Sequence, residues 1–255
     1  TAAPAAAGAA FLVLLLLPML SLLVRVPPAG LLPRLATPQV LQALWLSLGT
    51  SLAATVAVVG LGLPVAYLLA VRGFPGKRVL EALIDLPMVL PPTVAGVGLL
   101  LAFGRAGIAG RALSALGITV PFTTLAVVLA QAFVAGPFFI NAARAGFEEV
   151  DPRYLRAAAT LRASAGYAFL RVIVPLSLPS LVAGAAMTWA RALGEFGATI
   201  TFAGNLPGRT QTMPLAVYVA LQSDLDGAAA MSVLLLLVSF TVLLALRNFP
   251  RTVRR

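Results

Sequence analysis

Long apolar runs separated by basic loops dominate this chain and leave it few choices of fold. A hydrocarbon layer about 30 Å thick takes about 20 apolar residues in helix. Runs of that kind lie at residues 9–24, 41–71, 86–103, 123–143, 178–202 and 228–246. They predict an all-α polytopic membrane protein of about six transmembrane helices, one domain over 1–255 with its core at about 41–246. Composition agrees: 60% of residues are hydrophobic and 10% charged, with mean hydropathy +1.01, where soluble domains carry about 25% charged residues. The first run follows TAAPAAAGAA, which lacks a basic leader, so it reads as a retained helix rather than a cleaved signal.

The absence of cysteine and histidine excludes disulfides, Cys/His metal sites and any acid–base scheme built on thiol or imidazole. A net charge of +10 would suggest nucleic acid in a soluble protein, but no recognition helix or aromatic platform accompanies it. The basic residues instead obey a topology. With six helices, one side holds Arg72, Lys77, Arg78, Arg144, Arg153, Arg156, Arg162, Arg171, Arg247, Arg251, Arg254 and Arg255. The other side holds Arg25, Arg34, Arg105, Arg111 and Arg209. The positive-inside rule then puts both termini in the cytoplasm. It leaves 144–171 as the longest cytoplasmic loop and about 203–227 as the longest outer one.

Two segments break the membrane pattern. LPMVLPPT holds Pro87, Pro91 and Pro92, and proline removes a donor and clashes with the preceding turn, so no regular helix runs through it. Irregular backbone at membrane depth is tolerated only where protein or a watery cavity satisfies it. Pro91, Pro92 and Thr93 are therefore either a kinked helix entrance or part of a pathway or gate. Glu81 and Asp85, just before them, suit an amphipathic turn at the interface. The second segment is RALGEFGATITFAGN, 191–205. Arg191 and Glu195 share a helix face at i,i+4 spacing, about 20 Å beyond Leu178. Ionisable side chains at such depth are functional candidates that usually have a partner. Two readings stay open: a structural pair that pins the helix, or an Arg191 that helps pass an anion, with Glu195 and Thr199 beside it. Gly194 and Gly197 would let a neighbouring helix approach closely.

The 144–171 loop reads RAGFEEVDPRYLRAAATLRASAGYAFLR. Asp151 before Pro152 is a helix start. The following YLRAAATL is a short helix bearing the small residues Ala157, Ala158 and Ala159, and a second helix runs toward Pro175. Here the chain resembles the permease subunits of binding-protein-dependent ABC importers. Their cytoplasmic signature is EAA, three residues, G, nine residues, then I-x-L-P. At the same spacing this chain has Arg156-Ala157-Ala158, Arg162, and Val172-Ile173-Val174-Pro175, with arginines replacing the family's Glu and Gly. The resemblance covers about 41–246. Its ARALGEFGATITFAGN and GNLPGRTQTMPLAVY stretches are most similar to the oxyanion branch, molybdate and tungstate permeases above all. Sulfate/thiosulfate permeases share the GE-[FY]-G and AGN parts and are the nearest alternative.

The resemblance implies the type I importer permease fold in a prokaryotic inner membrane, with two copies of the chain lining a central pathway. It implies two separate ATPase subunits carrying ATP and Mg, and an oxyanion-binding protein at the outer face. Glu148, Asp151, Tyr154, Arg156, Ala157, Ala158, Arg162, Ala163, Ser164 and Pro175 would form the coupling loop. Ala157 and Ala158 would pack into the ATPase groove, and Glu148, Glu149 and Asp151 would supply acidic contacts in place of the lost Glu. On the outer side Arg105, Arg111 and Arg209 would attract an anion or its acidic carrier. The chain itself is expected to be neither an enzyme nor a cofactor protein. It has no G-x-x-x-x-G-K-[ST] phosphate loop, since Gly76-Lys77 runs into Arg78. A self-sufficient secondary anion carrier is the competing class, but no charged relay runs through several helices as such carriers usually show, and the 144–171 docking loop would be useless to one. Asp224 and Asp226 read as solvated carboxylates.

Overall fold

Small residues decide how closely these helices pack. In the computed structural model, which describes residues 2–26 and 35–253 with side chains over 4–26 and 35–245, every regular element is a helix. Arg34, Arg254 and Arg255 of the charge pattern lie outside the described residues. The longest helix, α2 (Pro38–Val71), runs about 51 Å at 1.5 Å per residue. It buries one stripe, including Ala43, Ser47, Thr50, Ser51, Ala54, Thr55, Val58, Gly62 and Ala66. Its opposite face exposes Trp45, Leu52, Val56 and Leu61. Small and hydroxyl residues inside with bulky apolar ones outside is the arrangement that lipid favours.

The stripe packs on α6 (Thr124–Glu148), which also carries α9 (Leu178–Leu193). A Cβ added at Gly184 of α9 would lie 2.7 Å from Ala142 Cβ, so no larger residue fits that crossing. Thr188 Oγ1 donates to the Ala135 carbonyl (3.3 Å) midway along α6. At the far end Ser177 Oγ donates to the Gly146 carbonyl (2.9 Å). The N-terminal helix α1 (Ala2–Arg25) stands apart from this bundle. It meets α12 (Leu225–Val253) through Val26, Ala229, Ala230 and Val233. Asp226 is ion-paired with Arg25 (3.2 Å), so it does more than the solvated carboxylate expected.

Among the described residues four helices are long and apolar enough to cross a membrane, and two further bent pairs bring the candidate spans to six if each pair is one span. The third run, 86–103, breaks where its prolines predict, but its first residues belong to a helix that starts earlier, at Lys77. α3 (Lys77–Val89) and α4 (Pro92–Phe103) meet at 116°. Leu90 between them is extended, as a residue before proline must be, and Pro91 and Pro92 have no N–H to continue the ladder. The amphipathic turn expected at 81–85 is the middle of α3. The expected fifth span, 178–202, is also corrected. α9 ends at Leu193, and a separate α10 (Gly197–Ala203) follows. Before α9, the segment α8 (Ala165–Leu176), π-wound over Phe169–Ile173, meets it at 74°. Among the described residues three further short helices are α5 (Gly110–Ala115), α7 (Pro152–Thr160) and α11 (Met213–Leu221), the last inside the 203–227 loop.

Candidate functional site

The break between α9 and α10 is built around one carboxylate. Glu195 is 1% exposed and its Oε2 lies 2.6 Å from Arg191 Nη1. Oε2 accepts no aligned hydrogen bond, so attraction between the charges holds it. Oε1 accepts from the Ala198 N–H (2.9 Å), satisfying one of the orphan donors at the start of α10. A buried carboxylate is tolerated only when paired and hydrogen-bonded, and here both oxygens are engaged. Arg191 is 30% exposed, so its guanidinium reaches from this pair to the chain's surface. It lies about one turn beyond Thr188, whose bond marks the middle of α6.

Glu195 thereby sets where α10 begins, and α10 packs on the broken span. A Cβ at Gly197 would meet Pro92 Cβ at 2.8 Å and the Thr93 nitrogen at 3.2 Å. One at Gly96 of α4 would meet Thr201 Cβ at 2.7 Å. The two irregular segments of the sequence are thus one contact, with a glycine on each side. Pro91, Pro92 and Thr93 keep exposed surface, as do Val94, Val97 and Leu101, while Pro92 Cβ and the Thr93 nitrogen also border Gly197 of α10. Thr199 is fully buried and its hydroxyl has no partner, so it lines no open surface of this chain and leaves the pathway set. Gly194 makes no close helix approach either. It borders an open apolar crevice of about 690 Å³ beside Phe196, Tyr218 and Leu236.

At the other end of α6, Asp151 Oδ1 accepts from the Arg153 N–H (2.8 Å) and starts α7 as its N-cap. Ser164 does the same for α8, accepting from Tyr167 N–H (3.2 Å). Between them Arg162 turns the chain with φ +55°, a left-handed conformation that costs a side-chain-bearing residue about 1–2 kcal/mol. Tyr154, Arg156, Ala157 and Arg162 are exposed, with Leu161 83% exposed at the tip. Ala158 is not available in the way the sequence suggested. It is buried within this chain, and its carbonyl accepts from the Ala163 N–H (3.0 Å) that closes the turn. Pro175 is exposed just before Ser177. Glu148 and Asp151 are also engaged internally, Glu148 by Arg144 (2.8 Å), which leaves Glu149 as the exposed acid with no ion pair among the described residues.

Sequence reasoning missed the anchoring of this segment. Arg144 also pairs with Glu81 (2.7 Å), and Lys77 approaches Glu81 (3.8 Å), while Asn141 Nδ2 donates to Asp85 (2.7 Å). The Arg144–Glu81 and Asn141–Asp85 bonds lash α3 to α6. Tyr67 packs against Phe169 at 4.5 Å and Phe147 at 5.9 Å between ring centroids, joining α2, α6 and α8. The i,i+4 spacings of Lys77/Glu81 and Arg144/Glu148 were available signals; the cross-helix partner was not.

On the far side of α6, Arg105 and Arg209 line one cleft of about 470 Å³. Arg111 is exposed and outside its lining. Thr123 at that cleft and Glu148 beside the coupling segment are 25 residues apart, about 37 Å of helix. The two sets of predicted residues therefore lie at opposite ends of one strut.

Two stability measurements check this geometry. Arg191→Gln leaves the Glu195 carboxylate buried without its cation and is expected to cost about 3–5 kcal/mol. Glu195→Gln keeps an acceptor for Ala198 and frees an arginine that can reach outward, so its loss is smaller. Thermal unfolding in detergent that ranks them the other way, or leaves both at wild type, contradicts the pairing. A pathway role would appear instead as lost uptake for Arg191→Gln in a complex of normal stability. Separately, Arg162→Gly is expected to hold or raise stability, by up to about 1 kcal/mol, because glycine takes φ > 0 freely. Arg162→Val should lower it, and equal losses in both would contradict the left-handed turn.

Comparison with known proteins bears on the whole chain. Residues 59–255 match the family described as binding-protein-dependent transport system inner membrane component. The molybdenum transport system permease protein ModB of Mycobacterium tuberculosis is 44% identical over 241 residues, 94% of this chain and 90% of that protein. ModB of Escherichia coli is 40% identical over 206 residues, 80% of this chain and 90% of its own length. A crystal structure of a bacterial alginate ABC transporter, in complex with its alginate pentasaccharide-bound periplasmic protein, superposes with TM-score 0.78. It is 14% identical, covering 99% of this chain and 93% of the other, and so speaks to the fold alone. With the broken spans, the capped α7 turn and a match over most of its length, this chain belongs to the family of binding-protein-dependent transport system inner membrane components.

Proposed function

We propose that this chain is the transmembrane subunit of an ATP-driven importer of a tetrahedral oxyanion, molybdate or tungstate. The observation that carries the reading is 44% identity along nearly the whole length to a molybdenum transport permease. Two copies of the chain line the pathway in a prokaryotic inner membrane, with both termini cytoplasmic. ATP and Mg belong to two partner ATPase subunits, and an oxyanion-binding protein delivers the anion at the outer face. Membership of a binding-protein-dependent family weighs against a self-sufficient carrier. The sulfate alternative is separated by competition: molybdate uptake in proteoliposomes should resist a large excess of sulfate.

The geometry supports a specific division of labour. α7 offers Tyr154, Arg156, Ala157 and Leu161 on an exposed surface held by caps at both ends. A push on that surface passes to α6 and α2 through the Tyr67, Phe147 and Phe169 cluster, and to α3 through Arg144 and Glu81. α3 leads directly into the Pro91–Pro92 break and the exposed face of α4. Motion of the ATPase-facing end therefore has a packed route to the irregular backbone. Close-packed interiors move by switching between arrangements rather than by continuous bending.

Ala157, not Ala158, tests the docking face. A carboxylate at Ala157 points outward and leaves the fold intact, yet places charge where a partner's groove must close. Ala157→Asp is expected to reduce substrate-stimulated ATP hydrolysis of the reconstituted complex at least tenfold while the permease keeps its thermal stability. Stimulation at the wild-type level would refute the assignment.

A further inference from the structure

Two arginines with no carboxylate partner among the described residues line the cleft at the end of α6 opposite the coupling segment. Arg105 and Arg209 line it together with Thr119, Phe122 and Thr123, and no acidic residue does. Neither arginine takes part in an ion pair or side-chain hydrogen bond within the described chain, although other arginines of this protein find partners. Both are presented by backbone that is fixed before any ligand arrives. Arg209 sits in the loop 206–210, closed on itself by Leu206 N–H to Thr210 Oγ1 and Thr210 N–H to the Leu206 carbonyl, each 2.9 Å. Thr124 Oγ1 donates to the Arg209 carbonyl (2.9 Å) and ties that loop to the start of α6. Arg105 begins a tight turn closed by Gly107 N–H to the Gly104 carbonyl (2.7 Å). At Gly107 and Gly110 a Cβ would collide with main-chain carbonyls.

A second observation comes from Phe122. It lines the same cleft with φ +61° and is 51% exposed. Left-handed backbone at a bulky aromatic residue is strained, and such strain persists where the surroundings over-determine it, commonly at ligand clamps. The Phe122 N–H reaches the Phe202 carbonyl at 3.4 Å, so the strained residue connects the cleft to α10 and hence to the Glu195 break. The first turn of the 25-residue α6 adds the positive end of a long helix.

We propose that this cleft binds the oxyanion itself, as a weak holding site at the outer mouth. Two planar arginine forks can each engage two oxygens of a tetrahedral dianion, and the Thr119 hydroxyl can donate a further bond. Because the backbone that presents them is already held, only the two side chains need ordering on binding. Because the cleft is open, affinity stays low enough for onward release. This assignment rests on the oxyanion reading above and deepens it.

The test uses the full permease–ATPase complex in nanodiscs without the binding protein, titrated with sodium tungstate in a calorimeter at low and moderate salt. Saturable binding is expected, displaced by molybdate and weakened by salt. The Arg105→Gln/Arg209→Gln double variant should bind at least tenfold more weakly, whereas Arg78→Gln, a charge lost at the other end of the chain, should bind as wild type. If the double variant does not assemble, Arg105→Lys/Arg209→Lys keeps the charges and should bind detectably but several-fold more weakly, the paired forks being lost. Absence of saturable binding in the wild type, or binding unchanged in the variants, overturns the proposal. So does a double variant that keeps tungstate binding but, with the binding protein added in a separate docking measurement, loses docking, which would make the occupant a carboxylate of that partner. Wild-type molybdate uptake, measured in proteoliposomes with the binding protein and ATP supplied, separates the two levels: uptake without tungstate binding defeats the cleft alone, and absent uptake defeats the oxyanion reading.

Discussion

The rest of this fold depends on a buried carboxylate having both oxygens engaged. Glu195 pairs with Arg191 through one oxygen and takes the Ala198 N–H through the other. One residue thus ends α9, starts α10 and fixes the direction of the chain between them. Desolvating a carboxylate costs several kcal/mol, so the energetic reason to keep this pair in a mostly apolar chain must be geometric. What it secures is the approach of Gly197 to Pro92 and of Gly96 to Thr201, the contact in which two interrupted spans support each other. In lipid an interrupted helix survives only where protein or water takes over the freed backbone groups, and α4 and α10 bury part of each other by packing closely.

α6 carries forces between the two ends. Thr188 and Ser177 bond to its carbonyls at the middle and at the coupling end, and Arg144 and Asn141 hold α3 against its side. At its first turn the Arg209 loop is bonded to Thr124. A helix of 25 residues held at its start, middle and end behaves as a rigid strut, while Leu90–Pro91 and Gly194–Phe196 are the places where backbone ladders are already open. Rigid elements joined at open ladders are where hinge motion concentrates.

Much of this was legible in the sequence, and the failures have physical causes. The spans show because lipid demands about 20 apolar residues per crossing. The α7 start shows because Asp151-Pro152 satisfies a helix N-terminus locally, and the left-handed turn falls at Arg162, where the resembled signature carries glycine. Local rules failed where a distant group decided the outcome. The 178–202 run reads as continuous because nothing nearby announces that the Glu195 side chain will replace a backbone bond. Ala157 and Ala158 are indistinguishable by composition, yet the turn at Ala163 buries one and leaves the other exposed. Thr199 reads as a pathway hydroxyl until α10 is seen to face inward. The Glu81–Arg144 bridge joins residues 63 positions apart, beyond any periodicity.

The central claim is that Arg191 and Glu195 act as one latch, and a double-mutant cycle on stability measures it most directly. Wild type, Arg191→Gln, Glu195→Gln and the double variant are unfolded reversibly from mixed micelles, and the interaction energy is taken from the four free energies. A latch buried on one side predicts a coupling of about 2 kcal/mol or more, with the double variant more stable than Arg191→Gln because it leaves no buried charge. A coupling below about 0.5 kcal/mol, the size of an exposed surface pair, would show that Glu195 is not held by Arg191 and that the α9–α10 break has another cause.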